Sequence, residues 1–393
     1  MTVKIGLVGK PNVGKSTIFS AMTRSQADIA NYPFTTLKPN VGITYIETVC
    51  PHTEIGKQCN PREGYCENGI RHVPIEIIDV PGLIPGASQG KGMGNEFLDN
   101  LRDSEALCHI IDGSGFTAAD GTPIQIRREP WEDIEIIEGE IKQWLADRIY
   151  RDWDKFARKA DSSGENQDRS LHRKIASFGL TERQVSLIFS RGSFPARFTL
   201  WTEEDAMRFS EIIFEFMKPI FRIANKADNM EPGIRKELLQ KYPEAYLVSG
   251  EYELAFEKAL KSGLIKGSAG GFEITRAVSR QQSIALDRIR EFFRDPAITL
   301  VSQIMGRIVQ EKLGYVIVFP VVDESTWEDN KGNVLPDALL MPAGSTALDL
   351  AFKIHTEIGE GFIRAVDCRT RRVIGKDHIL ANSDIIRVIS KTR

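Results

Sequence analysis

The sequence GKPNVGKS, residues Gly9–Ser16, lies between the apolar run Val3–Val8 and the segment Thr17–Met22. The run is short and rich in β-branched residues, as in a buried parallel strand, and the segment that follows has the character of a helix start. A strand, a G-x-x-x-x-G-K-S loop and a helix in this order are the signature of a phosphate-binding loop. The sequence therefore predicts a binding site for a nucleoside triphosphate.

The residue types in this loop suit the binding of phosphate groups. Gly9 and Gly14 allow a tight turn whose backbone N–H groups point at phosphate oxygens, and the helix N-terminus adds the positive end of its dipole. Lys15 supplies a cation to the β- and γ-phosphates, and the Ser16 hydroxyl is a ligand for Mg2+. The residues expected to contact the nucleotide here are Gly9, Lys10, Pro11, Asn12, Val13, Gly14, Lys15, Ser16 and Thr17.

Length and composition set the frame for the rest. A chain of 393 residues exceeds one compact core, so two or three domains are expected. No apolar run approaches the length of a membrane span, and the chain opens on a strand instead of a signal peptide, which favours a cytoplasmic protein. The net charge of −3 does not favour a general DNA-binding protein, and we expect a monomer without membrane contact.

Two later segments fit the switches of a GTP-dependent protein. The loop 31–40 contains Thr35 and Thr36, and Thr36 is the preferred candidate to complete the Mg2+ shell and to sense the γ-phosphate. The alternative is a proline-stiffened loop with incidental hydroxyls. Asp79-Val80-Pro81-Gly82 follows a predicted strand, so that Asp79 can hold the Mg2+ shell and the Gly82 N–H can meet the γ-phosphate. Lys15, Thr36 and Gly82 are accordingly the catalytic candidates.

The residue after Gly82 is unusual for a switch protein. Leu83 occupies the place where many GTPases carry a glutamine that orients the attacking water. An apolar side chain cannot orient water, so intrinsic hydrolysis should be slow or should depend on another group.

Base recognition is predicted much later in the chain. Asn225-Lys226-Ala227-Asp228 follows the strand-like run 218–224, and N-K-x-D is the guanine-reading motif of GTPases. The Asp228 carboxylate accepts hydrogen bonds from guanine N1–H and its 2-amino group, a pair of donors that adenine lacks. Lys226 is expected to pack over the base and Asn225 to tie this loop to the phosphate loop. The backbone of Ser249 and Gly250, after another strand, is expected to meet guanine O6.

A glycine- and proline-rich insert follows the second predicted strand. It carries Cys50, His52, Cys59 and Cys66. Thiolate and imidazole are the ligands of a Zn2+ site, although the spacing lacks the paired C-x-x-C pattern. Reduced structural thiols and a single disulfide are the alternatives.

The remaining segments complete a three-part organisation. Residues 131–217 are charged and helix-periodic, which predicts a helical insertion. Two helices, 273–294 and 298–312, are expected before a strand-rich tail whose pattern predicts a small β-grasp-like module. The predicted fold is α/β, with a mostly parallel sheet covered by helices on both faces. Its domains are 1–130 with 218–312, 131–217 and 313–393.

Taken together, these motifs resemble an Obg-superfamily GTPase, closest to the YchF/Obg-like subfamily. The resemblance rests on Gly9–Ser16, the loop 31–36, Asp79–Leu83, the segment 86–98 and Asn225–Asp228, with 130–136 similar to the start of that subfamily's helical insertion and a tail similar to its TGS domain. It implies a translation-associated GTPase that binds the ribosome or rRNA, with Leu83 as the hydrophobic replacement for glutamine. The cysteine-bearing insert is not a general feature of that family.

Three functional hypotheses follow. The first is a Mg2+-dependent GTP hydrolase that alternates between GTP and GDP as a switch on the ribosome. The second is an ATP-hydrolysing YchF-type ATPase, and the third is an RNA- or ribosome-binding protein that nucleotide stabilises without significant turnover. Asn12 adds K+ as a candidate cofactor, because its amide oxygen can hold a monovalent cation beside the phosphates; hydrogen bonding within the loop is the alternative role.

Overall fold

The computed structural model describes residues 2–24, 41–80, 104–216 and 219–391. The predicted Mg2+ ligand Thr36 and the predicted γ-phosphate contact Gly82, together with Thr35 and Leu83, lie outside these residues. The described chain divides into two compact units. The first unit comprises Lys4–Phe19 and Ile78–Thr299, and the second comprises Met1–Val3, Ser20–Ile77 and Leu300–Arg393.

The elements have the following limits within the described residues. The strands are β1 (Lys4–Val8), β2 (Val41–Val49), β3 (Tyr65–Glu67), β4 (Ile70–Asp79), β5 (Ala106–Asp112), β6 (Ile220–Asn225), β7 (Tyr246–Leu247), β8 (Ile265–Lys266), β9 (Glu273–Ile274), β10 (Val316–Val321), β11 (Leu339–Met341), β12 (Phe362–Asp367), β13 (Arg372–Ile374) and β14 (Ile385–Ser390). The α-helices are α1 (Lys15–Arg24), α2 (His52–Ile55), α3 (Pro130–Tyr150), α4 (Trp153–Ser163), α5 (Gln167–Lys174), α6 (Glu182–Arg191), α7 (Glu203–Phe216), α8 (Pro232–Lys241), α9 (Gly250–Lys261), α10 (Arg280–Arg294), α11 (Val301–Gly306), α12 (Ala347–Ile354) and α13 (Thr356–Glu360).

A parallel sheet organises the first unit. Strands β1, β5, β6 and β7 lie side by side in this order, each parallel to its neighbour. Every residue of β5 is buried, as expected for a central strand covered on both faces. Val8 lies opposite His109, and Asp112 lies opposite Asn225. The carboxyl ends of β1, β5 and β6 therefore meet at one edge of the sheet, where ligand sites of parallel sheets form.

The segment 130–216, which lies between β5 and β6, is largely helical. Residues 130–216 form α3 to α7 with short 3-10 turns, and α3 packs along α7. Aromatic side chains form its interior: Trp153 donates a hydrogen bond from Nε1 to the Phe198 carbonyl at 2.9 Å and packs against Trp201 with ring centroids 5.1 Å apart. This segment therefore has a core of its own.

The second unit contains a mixed five-stranded sheet with the order β11-β10-β14-β12-β13. Strands β10 and β14 are parallel, and the other neighbours are antiparallel. Helix α12 packs Leu350 against Val318 and Ile386 in one buried cluster. A mixed sheet crossed by a helix is the β-grasp arrangement, which confirms the expectation for the tail. In the same unit, β2 lies beside β4, and β3 forms an antiparallel hairpin with β4.

One predicted helix begins later than expected. The sequence predicts a helix from Glu273, but Glu273–Ile274 forms β9 and pairs with β8 in a short hairpin. Helix α10 begins after Ser279, whose hydroxyl accepts a hydrogen bond from the Gln282 N–H at 3.2 Å. The capping box at Ser279 fixes the helix start, and the residues before it are free to pair as a strand.

No helix among the described residues combines the length and apolarity needed to cross a membrane.

His109 lies in the core of the first unit, not in a site. It is 1% exposed on β5, and neither ring nitrogen has a hydrogen-bond partner within the described residues. Burial lowers its pKa to about 3, with smaller contributions from the charges of Arg222 and Lys10. Because the unfolded chain binds this proton near pH 6.5, the stability that neutral His109 contributes is complete above that pH and is lost as the pH falls towards 3.

We expect the free energy of unfolding to fall by about 2 kcal/mol from this residue alone between pH 6.5 and pH 5. The measurement is urea unfolding of the chain and of His109→Leu at both pH values. The difference between the two proteins isolates His109, because other groups such as Glu257, whose pKa burial raises to about 7, contribute to both. Equal pH dependence of the two proteins would contradict the prediction.

Candidate functional site

The loop between β1 and α1 requires glycine at its last turn. Gly14 has a φ of +90°, a conformation that residues with side chains rarely adopt. A Cβ at this position would lie 2.2 Å from Asn225 Nδ2. The Ile18 N–H donates to the Gly14 carbonyl at 2.9 Å, so α1 begins directly after the loop. The first N–H groups of a helix have no partner within it, and they form an anion-binding end beside the loop.

The structure brings Lys15 and Asp79 together at the end of β4. The Lys15 ammonium lies 3.0 Å from Asp79 Oδ1 and also donates a hydrogen bond to the Val80 carbonyl. The predicted phosphate-binding cation and a predicted Mg2+ ligand are therefore neighbours. Ser16, the other described Mg2+ candidate, is exposed in the first turn of α1.

Asn225 joins the base-reading motif to the phosphate loop. Its Nδ2 donates to the Val13 carbonyl at 2.9 Å, and its Oδ1 accepts from the Gly250 N–H at 3.1 Å. Asn225 is 3% exposed, so both hydrogen bonds are shielded from water. This side chain links three loops that are far apart in sequence, which includes the tie to the phosphate loop expected from the sequence.

The Gly250 N–H has a partner within the protein. The sequence places the backbone of Ser249 and Gly250 against guanine O6, but the Gly250 N–H is engaged by Asn225. Ser249 caps α9 through its hydroxyl, which accepts from the Tyr252 N–H at 3.3 Å. In this arrangement the turn holds the Asn225 side chain and caps the start of α9.

Lys226 has a left-handed backbone, with a φ of 59°, and its side chain runs back along the phosphate loop. Its ammonium lies 2.9 Å from the Asn12 carbonyl oxygen and 3.2 Å from Asp112 Oδ2. Asp228 is half-buried, and its Oδ2 accepts from Asn229 Nδ2 at 2.8 Å. The Asp228 carboxylate thus stands at the sheet edge with acceptor capacity for a ligand.

Asp112 is a residue that the sequence reasoning missed. It ends β5, is 1% exposed and accepts hydrogen bonds from Ser114 Oγ at 2.7 Å and from Thr117 Oγ1. Burial opposes its ionisation, but these hydroxyls and the Lys226 ammonium outweigh burial and hold the pKa of Asp112 below its usual range. The available signal was positional: Asp79, Asp112 and Asn225 each end a strand of the sheet.

Lys10 is used differently from its neighbours in the loop. Its ammonium is buried and lies 2.6 Å from Asp133 Oδ1 and 2.6 Å from the Thr117 carbonyl oxygen. Asp133, in the first turn of α3, was also missed as part of this site. Burial raises the pKa of Asp133, and the Lys10 ammonium opposes that shift. Only the backbone of Lys10 remains for a nucleotide, and the helical segment is anchored to the phosphate loop.

The exposed residues of the loop contact the segment that follows β5. Asn12 Nδ2 donates to the Gly121 carbonyl at 2.8 Å, so its amide oxygen is directed to the other side of the side chain. A Cβ at Gly121 would lie 2.6 Å from Pro11 Cβ, which shows how closely the two segments approach. Val13 is buried, and Thr17 lies near Gly250.

The cysteine and histidine candidates lie in the second unit. The ligand atoms of Cys50, His52, Cys59 and Cys66 all lie within 4.8 Å of one another. All five cysteines of the chain are free thiols in this structure.

Known families account for most of the chain. A model described as a 50S ribosome-binding GTPase matches residues 4–145. A model described as the G4 motif-containing domain of the YGR210-like Obg-like GTPases matches residues 223–323, and the TGS domain matches residues 331–390.

Several relatives match from end to end. A GTP-binding protein of Methanocaldococcus jannaschii, named as uncharacterized, is 42% identical over 395 residues, which cover 99% of each chain. The crystal structure of a GTP binding protein from Pyrococcus horikoshii is 32% identical with a TM-score of 0.75, and it covers 99% of this chain and 100% of that chain. The ribosome-binding ATPase YchF of Escherichia coli O157:H7 is 27% identical over 409 residues, or 99% of each chain. This chain therefore belongs to the Obg-like GTP-binding proteins and carries a C-terminal TGS domain.

Proposed function

We propose that this protein is a Mg2+-dependent GTP hydrolase that acts as a ribosome-associated switch. The observation that carries the proposal is the double hydrogen bond of Asn225 to the Val13 carbonyl and the Gly250 N–H. It supports the proposal because it ties the loop of Asp228, the proposed guanine-reading residue, to the proposed phosphate-binding loop. A single site can thus bind the base and the phosphates of one nucleotide at the same time.

Guanine selection falls to Asp228. Its ionised carboxylate accepts from both N1–H and the 2-amino group of guanine, whereas adenine offers an acceptor at N1 and leaves the carboxylate unpaired. The aliphatic stem of Lys226 supports the base, because the ammonium of Lys226 is fixed at the Asn12 carbonyl. The alternative that the protein hydrolyses ATP is supported by the name of the 27% identical relative, a ribosome-binding ATPase. The turnover assay described below compares the two nucleotides.

The phosphate end fits a hard divalent cation. The donor set is the Ser16 hydroxyl and the Asp79 carboxylate, which are oxygen ligands of the kind Mg2+ prefers. Asp79 Oδ1 is buried, with no hydrogen-bond partner in the described part of the chain besides its ion pair with Lys15. When bound, Mg2+ neutralises charge on the β- and γ-phosphates. Lys15 would turn from Asp79 to the phosphates, and Thr36 is proposed as the further ligand.

Catalysis without a glutamine needs a fixed positive charge. We assign this charge to K+, held near the phosphates by the amide oxygen of Asn12, because Asn12 Nδ2 is already engaged by Gly121 and orients the amide. Gly82 is proposed to donate a hydrogen bond from its N–H to the γ-phosphate. Lys15 is proposed to stabilise the negative charge that develops during phosphoryl transfer.

The TGS domain supplies a surface suited to rRNA. Its hairpin of β12 and β13 carries the exposed residues Arg364, Arg371 and Arg372, as well as the exposed apolar residues Ile363 and Val373. Arginine guanidinium groups pair with RNA phosphates and stack on unpaired bases. Relatives named as ribosome-binding support the choice of the ribosome.

The test of this function is turnover of GTP and ATP with and without purified ribosomes, in matched potassium and sodium salts. We expect GTP to bind at least ~2 kcal/mol more tightly than ATP, because adenine leaves the Asp228 carboxylate unsatisfied. Asp228→Asn should shift the preference from GTP towards xanthosine triphosphate. The C2 carbonyl of xanthine accepts the hydrogen bond that the asparagine amide donates. Calorimetry measures the affinities, and phosphate release measures turnover.

Asp287→Asn is the matched control, since it changes an exposed carboxylate on α10 whose partner is Arg290. Equal affinities for GTP and ATP would contradict guanine selection. GTP affinity without turnover, even with ribosomes and K+, would replace the hydrolase by a nucleotide-stabilised ribosome-binding protein.

A further inference from the structure

The segment 50–71, here called the cysteine insert, gathers four metal-binding side chains. Cys50 follows β2, His52 opens α2, Cys59 lies in the next loop and Cys66 lies on β3. Cys50 and Cys59 are at most 3% exposed. We propose that the cysteine insert holds a structural Zn2+ ion with four protein ligands: Cys50, His52, Cys59 and Cys66.

The distances match a tetrahedral zinc site. Cys50 Sγ lies 3.8 Å from Cys59 Sγ, and Cys66 Sγ lies 3.5 Å from His52 Nδ1. With Zn–S bonds of about 2.3 Å and Zn–N bonds of about 2.0–2.1 Å, tetrahedral geometry places two sulfurs about 3.8 Å apart and a sulfur and nitrogen about 3.5 Å apart. A disulfide requires sulfurs about 2.05 Å apart, so Cys50 and Cys59 are arranged as ligands and not as a bond.

The charge around the cluster also fits. Three thiolates and one neutral imidazole around Zn2+ carry a net charge of −1. Arg71 lies opposite Cys66 in the β3–β4 hairpin and is 0% exposed. Its Nε and Nη1 have no hydrogen-bond partner in the part of the chain described, so a buried cation lies on the strand that pairs with Cys66. A positive charge on the paired strand favours the net negative charge of the metal-bound cluster.

The insert has little apolar interior of its own. Between Cys50 and Arg71 its larger apolar side chains are Ile55, Tyr65 and Ile70, and most of its other residues are exposed. Segments this small need a metal or a disulfide, because they cannot bury enough apolar surface. The tight Asn68–Gly69 turn, with φ values of 50° and 81°, brings Cys66 back towards the start of the insert.

The cysteine insert is docked on the TGS-containing part of the same unit. The Asn60 N–H donates to the Val334 carbonyl at 2.9 Å, and Asn60 Oδ1 accepts from the Val334 N–H at 3.2 Å. The Arg62 N–H donates to the Pro336 carbonyl at 2.9 Å. Cys59 immediately precedes the docked segment, so the metal would fix the backbone that makes these bonds.

The experiment measures metal in the full-length chain purified without chelator. Inductively coupled plasma mass spectrometry should find about one zinc per chain. Cys59→Ser should lose it, and Cys368→Ser, a buried cysteine outside the insert, should retain it. In case Cys59→Ser does not fold, the unaltered chain is stripped and titrated with Co2+. Thiolate-to-cobalt charge transfer and the visible bands of tetrahedral Co2+ are then expected, and both should weaken in Cys66→Ser.

A second readout follows the docking. Removal of zinc should increase deuterium uptake in peptides that contain Asn60, Arg62 and Val334, while GTP affinity stays within about twofold. A chain without zinc that takes up no Co2+, iron in place of zinc, or a Cys50–Cys59 disulfide in the protein as purified would each overturn the proposal. These results do not depend on nucleotide turnover, so the proposed hydrolase and the zinc site stand or fall separately.

Discussion

Lys15→Ala is expected to lower GTP turnover by at least about a thousandfold. We propose that the Lys15 ammonium binds the β- and γ-phosphates, and preorganised charge in a phosphoryl-transfer site contributes effects of about this size. The side chain contacts Asp79 and the Val80 carbonyl at the site and is only partly buried. We therefore expect loss of function with little change in fold.

The measurement is single-turnover phosphate release, accompanied by circular dichroism and thermal unfolding of both proteins. Lys236→Ala is the matched control, because Lys236 is an exposed lysine on α8 of the same unit. A turnover rate in Lys15→Ala equal to that of the unaltered chain would show that the phosphate-loop assignment is wrong.

Lys10→Ala has the second large expected effect, and the effect is on stability. The Lys10–Asp133 ion pair has side chains about 5% exposed on both partners, and the ammonium also bonds to the Thr117 carbonyl. Removal of one partner leaves a buried charge without compensation, which costs about 3–5 kcal/mol. Chemical denaturation at neutral pH should show a loss of this size.

The double variant Lys10→Met, Asp133→Leu separates the two explanations of such a loss. If the cost comes from the unpaired Asp133 carboxylate, an apolar pair of similar volume should restore most of the stability. A double variant as unstable as Lys10→Ala would show that the lost hydrogen bond to the Thr117 carbonyl, and not the unpaired carboxylate, is responsible. Arg128→Ala serves as the control, since its ion pair with Glu132 is partly exposed and is expected to matter little.

The described candidates for the nucleotide site lie close together in the structure, and the sequence could indicate this because short motifs encode them. The glycines of the phosphate loop and the Asn225–Asp228 motif follow apolar strand runs, and the strands of a parallel sheet bring such ends together. Asp112 and the Lys10–Asp133 pair were missed because they depend on contacts between distant segments, which no local periodicity reports. The early start assigned to α10 has a similar cause: pairing of β9 with β8 is long-range, whereas the capping box at Ser279 is local.

The cysteine insert shows the opposite situation. The intervals between Cys50, Cys59 and Cys66 do not match a paired metal motif, so the sequence gives a weak signal for zinc. The short helix α2 and the β3–β4 hairpin bring the four side chains into one cluster. The clustering of these side chains is therefore a property of the fold, and only the residue types are visible in the sequence.

The burial of Arg71 has a consequence for protein engineering. Arg71 donates from Nη2 to the Leu335 carbonyl at 2.8 Å, and its guanidinium lies 5.9 Å from the centroid of the Phe319 ring. A chain cut before residue 313 would expose this guanidinium and leave Asn60 and Arg62 without their backbone partners. The carboxyl-terminal module therefore cannot be removed without loss of these contacts. A chimera with a relative should exchange residues 50–71 and 313–391 together, because the contacts need both segments.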